Sequence, residues 1–264
     1  MNTALDFWVP LFVPGDRPER FNRAASSDCD AVIVDLEDAI SSDRKAAARA
    51  ALQVGFTDKP ILVRVNGIGT PWHDADMHAL AQKRVAAVIL PKAECTAEFA
   101  AFCAASSLPI VALIENARGL ADARRIAATE NVARLAFGSI DFCADLRCVH
   151  TRGALSAARC ELVLASRLSG LVAPLDGVTT ALDDTSVIVG DARHALELGM
   201  GGKLCIHPRQ IEAIRAGFAP SDAEIAWARK VLASGDGAVA VDGAMVDAPV
   251  RVRARALLNR AGTT

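Results

Sequence analysis

Short apolar runs rich in Val, Ile and Leu recur eight times along the chain, at residues 7–13, 31–36, 61–65, 85–90, 109–114, 134–137, 171–175 and 203–206. Between most of them lie stretches of Ala, Leu and charged residues with helical period, at 43–53, 97–105, 119–128, 154–169 and 192–198. Parallel strands need a crossover between neighbours, usually a helix, and a strand covered on both faces reads as a continuous apolar run. Eight such units predict an α/β chain folded as a (β/α)8 TIM barrel, which takes about 250 residues, within a chain of 264. A doubly wound sheet is the structural alternative. The barrel is expected over residues 1–220. After it come a helix at 225–233, the turn Gly235-Asp236-Gly237, an alternating hairpin at 239–246 and a basic helix at 251–260. Residues 221–264 are therefore expected to form an appendage that covers the barrel mouth or reaches a neighbouring subunit.

Composition narrows the class. With 52% hydrophobic and 23% charged residues, disordered, collagen-like and coiled-coil chains are excluded. Aromatic residues make up only 5% and tyrosine is absent, so the core must be built from Ala, Val, Leu and Ile. A formal net charge of −2 gives no footprint for nucleic acid or an anionic membrane, so an anionic partner must be met by a local cluster. Seven cysteines without a CxxC pair argue against a disulfide framework or a structural zinc site. The first residues lack the basic and apolar regions of a signal peptide, no apolar stretch reaches membrane-spanning length, and a cytoplasmic protein is expected.

In a barrel, the carboxyl ends of the strands and the loops after them build the active site. Here those ends read Pro14-Gly15-Asp16-Arg17, Asp35-Leu36-Glu37-Asp38, Arg64-Val65-Asn66, Pro91-Lys92, Glu115-Asn116, Ser139-Ile140-Asp141, Asp176-Gly177 and His207-Pro208. Glu115 and Asp141 leave consecutive strands. As two hard carboxylates without a His or Cys cluster they suit Mg²⁺, with Mn²⁺ also permitted; as plain rim charges they would cap helices. Arg64 shares a strand face with Leu62 and Asn66. Its guanidinium can hold a substrate carboxylate or a developing enolate oxygen, pair with Asp35 or Glu37, or do both. Asp35, Glu37 and Asp38 are candidates to orient Arg64 or to hold metal-bound water. Arg17 and Arg20, in the turn and helix start from Pro14, form a candidate phosphate contact, and Lys92 adds a positive group. His73 and His78, five apart, read as surface histidines. Cys143 reads as a buried, unreactive thiol, and the segment from Gly199 to Gly202 as a helix end.

Together, Leu11 to Arg20, Val34-Asp35-Leu36-Glu37-Asp38, Arg64-Val65-Asn66, Leu90-Pro91-Lys92, Ile114-Glu115, Gly138-Ser139-Ile140-Asp141, Asp176-Gly177-Val178, Ile206 to Ile211 and Asp242 to Asp247 resemble the citrate lyase β-subunit family of the HpcH/HpaI aldolase group. The resemblance implies a Mg²⁺-dependent lyase that cleaves or forms C–C bonds in 3-hydroxyacyl thioesters. These would be citryl, malyl or citramalyl species on CoA or an acyl carrier, split to an acyl thioester and a small oxo-acid. By position, Glu115 and Asp141 match the metal ligands and Arg64 the substrate arginine, with Glu37 and Asp38 beside it in the catalytic group. Pro14, Arg17, Arg20, Lys92, His207 and Pro208 fall where the thioester carrier is contacted. Asp247 matches an acid or base offered by a neighbouring subunit, so a homo-oligomer, a trimer or hexamer, is implied. Arg147 stands where the family commonly has glycine. Hydrolysis of a malyl-CoA-type thioester, class II aldol cleavage of a free acid and noncatalytic carrier binding are the alternatives.

Overall fold

The computed structural model describes residues 5–262. Eight strands form one sheet in sequence order: β1 (Pro10–Pro14), β2 (Ala31–Asp35), β3 (Ile61–Arg64), β4 (Ala87–Leu90), β5 (Ile110–Ile114), β6 (Val132–Phe137), β7 (Val172–Asp176) and β8 (Gly202–Lys203). Every neighbouring pair is parallel. The ring closes because Leu11 bridges Cys205: the Phe12 amide donates to the Cys205 carbonyl at 2.8 Å, and the Cys205 amide donates to that of Pro10 at 3.0 Å. Closure leaves no exposed sheet edge, which makes this the expected barrel and not a doubly wound sheet.

The strands alternate as a barrel requires. Ala31 and Ile33, Ala87 and Ile89, Val111 and Leu113 join Leu62, Ala136, Leu175 and Leu204 in one buried cluster that fills the interior. The intervening Val32, Val34, Val63, Val88 and Ala112 are buried as well, on the opposite face of each strand, toward the helical layer. The longest helix, Arg152–Leu168, buries Leu155, Ala158, Arg159, Leu162 and Ala165, a spacing of three and four that makes one inward stripe. Its start is capped by the Thr151 hydroxyl, which accepts from the Ala154 amide at 3.3 Å.

Three local expectations change. The last run, 203–206, contributes only a two-residue strand plus the bridge at Cys205. The segment 119–128 breaks at Asp122 into the helices Ala117–Ala121 and Ala123–Ala127. His73 is not a surface residue: it begins the helix His73–Leu80, is buried, donates from Nδ1 to the Asn66 carbonyl at 2.7 Å and meets the Phe102 ring edge on. That helix escapes detection because Asp74, Asp76 and His78 interrupt its apolar spacing. His78 is exposed as expected, and Cys143 is buried.

Arg147, the departure from glycine, ends the helix Ser139–Leu146 with φ of 55°. That left-handed conformation costs an ordinary residue about 1–2 kcal/mol, part of which glycine returns through its freer unfolded chain. Arg147→Gly is expected to stabilise the protein by about 0.5–1 kcal/mol; a lower midpoint in urea would contradict this.

The chain divides into one unit up to Gly217 and a second from Phe218. In the second unit the helix Asp222–Ala233 opens with a capping box between Ser221 and Glu224. A hairpin follows, β9 (Val239–Val241) and β10 (Ala244–Val246), turning through Asp242 and Gly243, both at positive φ. The helix Ala248–Arg260 closes on it, and Ala228, Val231, Val241, Val246, Ala254, Leu257 and Leu258 form a small core. Among the described residues no helix is long and apolar enough to cross a membrane.

Candidate active site

The strand ends converge on a cavity of about 500 Å³ at the carboxyl end of the barrel, whose wall includes Phe12, Pro14, Asp35, Asp38, Arg64, Glu115, Ser139 and Asp141. β3 delivers Arg64 beside the end of β2, because Asp35 and Arg64 are register partners. The guanidinium makes two parallel bonds to Asp35, Nε to Oδ1 and Nη2 to Oδ2, both at 2.7 Å. Its Nη1 lies 3.2 Å from both Asp38 Oδ2 and Glu37 Oε2, and the group stacks on the Phe12 ring at 4.9 Å. Asp35 is itself fixed, accepting from the amides of Glu37 at 2.9 Å and Ala39 at 3.0 Å. Burial works against the Arg64 charge, yet the three carboxylates hold it more firmly protonated than a free arginine.

Glu37 joins this arginine to the next strand ends. Its Oε1 accepts from Lys92 Nζ at 2.5 Å, while Oε2, buried and close to Arg64, has no aligned hydrogen-bond donor. Burial raises the Glu37 pKa, against the pull of Arg64 and Lys92. Lys92 takes φ of 51°, and its amide donates to Glu115 Oε1 at 2.7 Å. Glu115 is almost fully buried. Burial, reinforced by the charges of Glu37 and Asp141, pushes its carboxyl up to about 8 against the opposing effect of Lys92. Its other oxygen lies against Gly138, where an added Cβ would come within 2.5 Å of Oε2, so only glycine leaves room for this carboxylate. Asp141, in the first turn of the helix Ser139–Leu146, shares the wall.

Two further cavities adjoin. One of about 840 Å³ includes Glu37, Asp38 and Lys92, with Lys45, Asn66 and Trp72 opposite them. The other, about 320 Å³, is bounded by Phe12, Pro14, Arg20, Arg23, Ile206, His207 and Pro208. Of the residues assigned to carrier contact, Pro14, Arg20, His207 and Pro208 are thus brought together, while Lys92 lines the larger cavity. Arg17 pairs with Asp16 at 3.9 Å and does not line these cavities. Asp247 belongs to the second unit, where it caps the helix Ala248–Arg260 by accepting from the Val250 amide.

Sequence reasoning missed the supports. Lys45 is buried and spends all three protons, on the carbonyls of Leu36 and Glu37 and on Asn66 Oδ1, at 2.7–3.0 Å. Asn66 in turn donates to Asp76, which Arg49 neutralises. At the far side Asp176 is fully buried between Arg159 and Lys203, which hold it ionised despite burial. Next to them His150 Nε2 lies 2.9 Å from the Ser139 hydroxyl; burial, then Arg159 and Lys203, lower the His150 pKa, so the ring is neutral near pH 7. A visible signal was Arg159 on the otherwise apolar stripe of its helix. Arg23, one turn beyond Arg20, could have been found by helical spacing.

Among the described residues no three His, Cys, Asp or Glu side chains form a metal cage. The donor set nevertheless fits a hard divalent cation: two carboxylates on one wall, one of them buried and resisting ionisation without a counter-charge. Such a set leaves most coordination positions to water or substrate oxygens, as Mg²⁺ prefers.

The family model described as HpcH/HpaI aldolase/citrate lyase matches residues 9–208. A citrate lyase subunit beta-like protein of Mycobacterium tuberculosis is 39% identical, over 96% of this chain and 94% of that protein. A (3S)-malyl-CoA thioesterase of Cereibacter sphaeroides is 34% identical, over 95% and 93%. The crystal structure of CitE from Mycobacterium tuberculosis in complex with magnesium, acetoacetate and coenzyme A superposes with a TM-score of 0.88 at 37% identity, covering 98% of this chain and 99% of that one.

Proposed function

Because the chain belongs to the HpcH/HpaI aldolase/citrate lyase family, we propose that it is a Mg²⁺-dependent carbon–carbon lyase that splits a 3-hydroxyacyl thioester of CoA into a shorter acyl thioester and an oxo-acid. The observation that carries this reading is the common wall: Glu115, Asp141 and Arg64 face one cavity, and an adjoining one is rimmed by Arg20, Arg23 and His207. When bound by Glu115 and Asp141, Mg²⁺ supplies a Lewis acid for the substrate's hydroxyl and carboxylate oxygens. Arg64 meets the negative charge that grows on the thioester oxygen as the acyl group departs as an enolate. Its pairing with Asp35, Glu37 and Asp38 fixes that donor before the substrate arrives, so little reorganisation is needed. Lys92 donates to Glu37 beside the guanidinium, and Pro14, Arg20, His207 and Pro208 receive the carrier. Asp247, offered by a second copy in a homo-oligomer, protonates the acyl carbon.

Hydrolysis of the same thioester is the second reading, favoured by the malyl-CoA thioesterase relatives. Incubation with Mg²⁺ and a panel of citryl-, malyl-, methylmalyl- and citramalyl-CoA, with products identified by mass spectrometry, tests both. An acyl-CoA with an oxo-acid supports the lyase; CoA with a hydroxy-acid supports hydrolysis; no product from any thioester overturns both.

A pH dependence follows from Glu115. Below about pH 8 the metal-free carboxyl is protonated, so Mg²⁺ must displace a proton to use it. Apparent Mg²⁺ affinity is expected to fall about tenfold per pH unit below that point and to level off above it. Calorimetric titration at several pH values checks this, and an affinity constant between about pH 6 and 8 would contradict it.

A further inference from the structure

None of the seven cysteines has a place in the proposed reaction. Two of them meet at the end of the helix Ser139–Leu146, whose first turn carries Asp141. Arg147 takes the left-handed conformation there, and the Cys148 amide donates to the Cys143 carbonyl at 3.1 Å. This six-residue closure turns the chain back on itself, so that its first and last side chains lie against each other, a contact usually made by apolar groups. Here both are cysteine, and their thiols share a hydrogen bond. By contrast, the buried thiols of Cys29 and Cys205 donate to the carbonyls of Ala24 and His207, and Cys160 stands exposed on the helix Arg152–Leu168.

The same segment belongs to the cavity wall. Ser139 and Asp141 line the central cavity, and His150, two residues beyond Cys148, returns to the Ser139 hydroxyl at 2.9 Å. The stretch from Ser139 to His150 is thus held at two places, by the Ser139–His150 contact and by the turn from Cys143 to Cys148. Cys143 is buried and Cys148 half-buried, which makes Cys148 the sulfur that an oxidant meets first. We propose that Cys143 and Cys148 form a reversible disulfide with each other, by exchange with a small-molecule disulfide such as glutathione disulfide, and that this bond stiffens the wall segment. The Cys148 thiolate attacks the oxidant, whose own S–S bond breaks, giving a mixed disulfide and one free small thiol. The Cys143 sulfur then gives up its proton and attacks the Cys148 sulfur, and the second small thiol leaves. Two protein thiols are oxidised and one small disulfide is reduced. This chemistry is independent of the reaction that the cavity performs.

Peptide mapping and hydrogen exchange on the full chain test this. After treatment with glutathione disulfide and blocking of the remaining thiols, tryptic cleavage at Arg134, Arg147 and Arg152 separates the two cysteines. Residues 135–147 and 148–152 should then be recovered as one linked pair, lighter by two hydrogens than the separate peptides, and dithiothreitol should release them. Amide exchange over residues 139–150 should slow about tenfold in the oxidised protein, since the bond restricts the open state from which exchange occurs. Cys148→Ala should lack both responses. Glutathione retained on Cys148, or links formed only through Cys160, overturns the disulfide. A linked pair with unchanged exchange overturns its effect on the wall.

Discussion

Glu115→Gln is expected to lower Mg²⁺-dependent kcat/KM by about three orders of magnitude or more while leaving the protein at least as stable as the parent. In the proposed lyase Glu115 would be one of two anionic ligands for the ion that polarises the substrate, and losing it would cost several kcal/mol at the barrier. The retained stability follows from the same burial. A carboxyl raised from 4.5 to about 8 binds a proton in the folded state that the unfolded chain has released. Metal-free stability therefore falls as pH rises from about 4.5 to 8 and is level above, the sign expected when the native state holds more protons. Glutamine keeps the shape and the acceptor for the Lys92 amide, and it removes that slope. Thermal denaturation of both proteins across this range, beside steady-state kinetics, checks the pair of statements. A variant with near-parental turnover, or one that unfolds below the parent at pH 8, would contradict them.

Arg64→Gln should lose both activity and stability. In the proposed lyase the guanidinium would stabilise the enolate oxygen, and removing one such preorganised donor costs about 10²–10³ in kcat. It also holds Asp35, almost fully buried, together with Glu37. Breaking a buried pair from one side costs about 3–5 kcal/mol because the remaining charge has no partner. Arg64→Lys restores the charge without the fork that meets Asp35 through two parallel bonds, so it should recover part of the stability and little of the rate. Adding Asp35→Asn to Arg64→Gln relieves the uncompensated charge and should regain stability without activity. Urea midpoints and kcat for the four proteins separate the two roles; recovery of kcat in the double variant would contradict the assignment.

The barrel was legible because eight apolar runs of strand length have few other arrangements, and because a polar group at every strand exit marks one end of the ring. That Glu115, Asp141 and Arg64 would meet on one wall was legible for the same reason: Arg64 stands near the end of its apolar run, and Glu115 and Asp141 one and four residues past theirs. What was not legible depends on distant partners. That Glu37 bridges Arg64 to Lys92 needs the ends of β2, β3 and β4 in space. Gly138 signals nothing in the sequence until the Glu115 carboxylate is seen to occupy the place of its side chain. Lys45 drew no attention in the sequence, since helical period alone cannot tell a buried, fully bonded lysine from an exposed one. His73 was misplaced because its partner is a backbone carbonyl, which no residue pattern reveals.

The most direct test of the central claim is one time course with Mg²⁺ and a citramalyl- or malyl-CoA thioester, following acetyl-CoA, oxo-acid and free thiol together. A lyase built on Glu115, Asp141 and Arg64 releases acetyl-CoA and oxo-acid in equal amounts, with no free thiol and no product when Mg²⁺ is chelated. Stoichiometric free CoA with the intact hydroxy-acid, and no acetyl-CoA at any time, would contradict it.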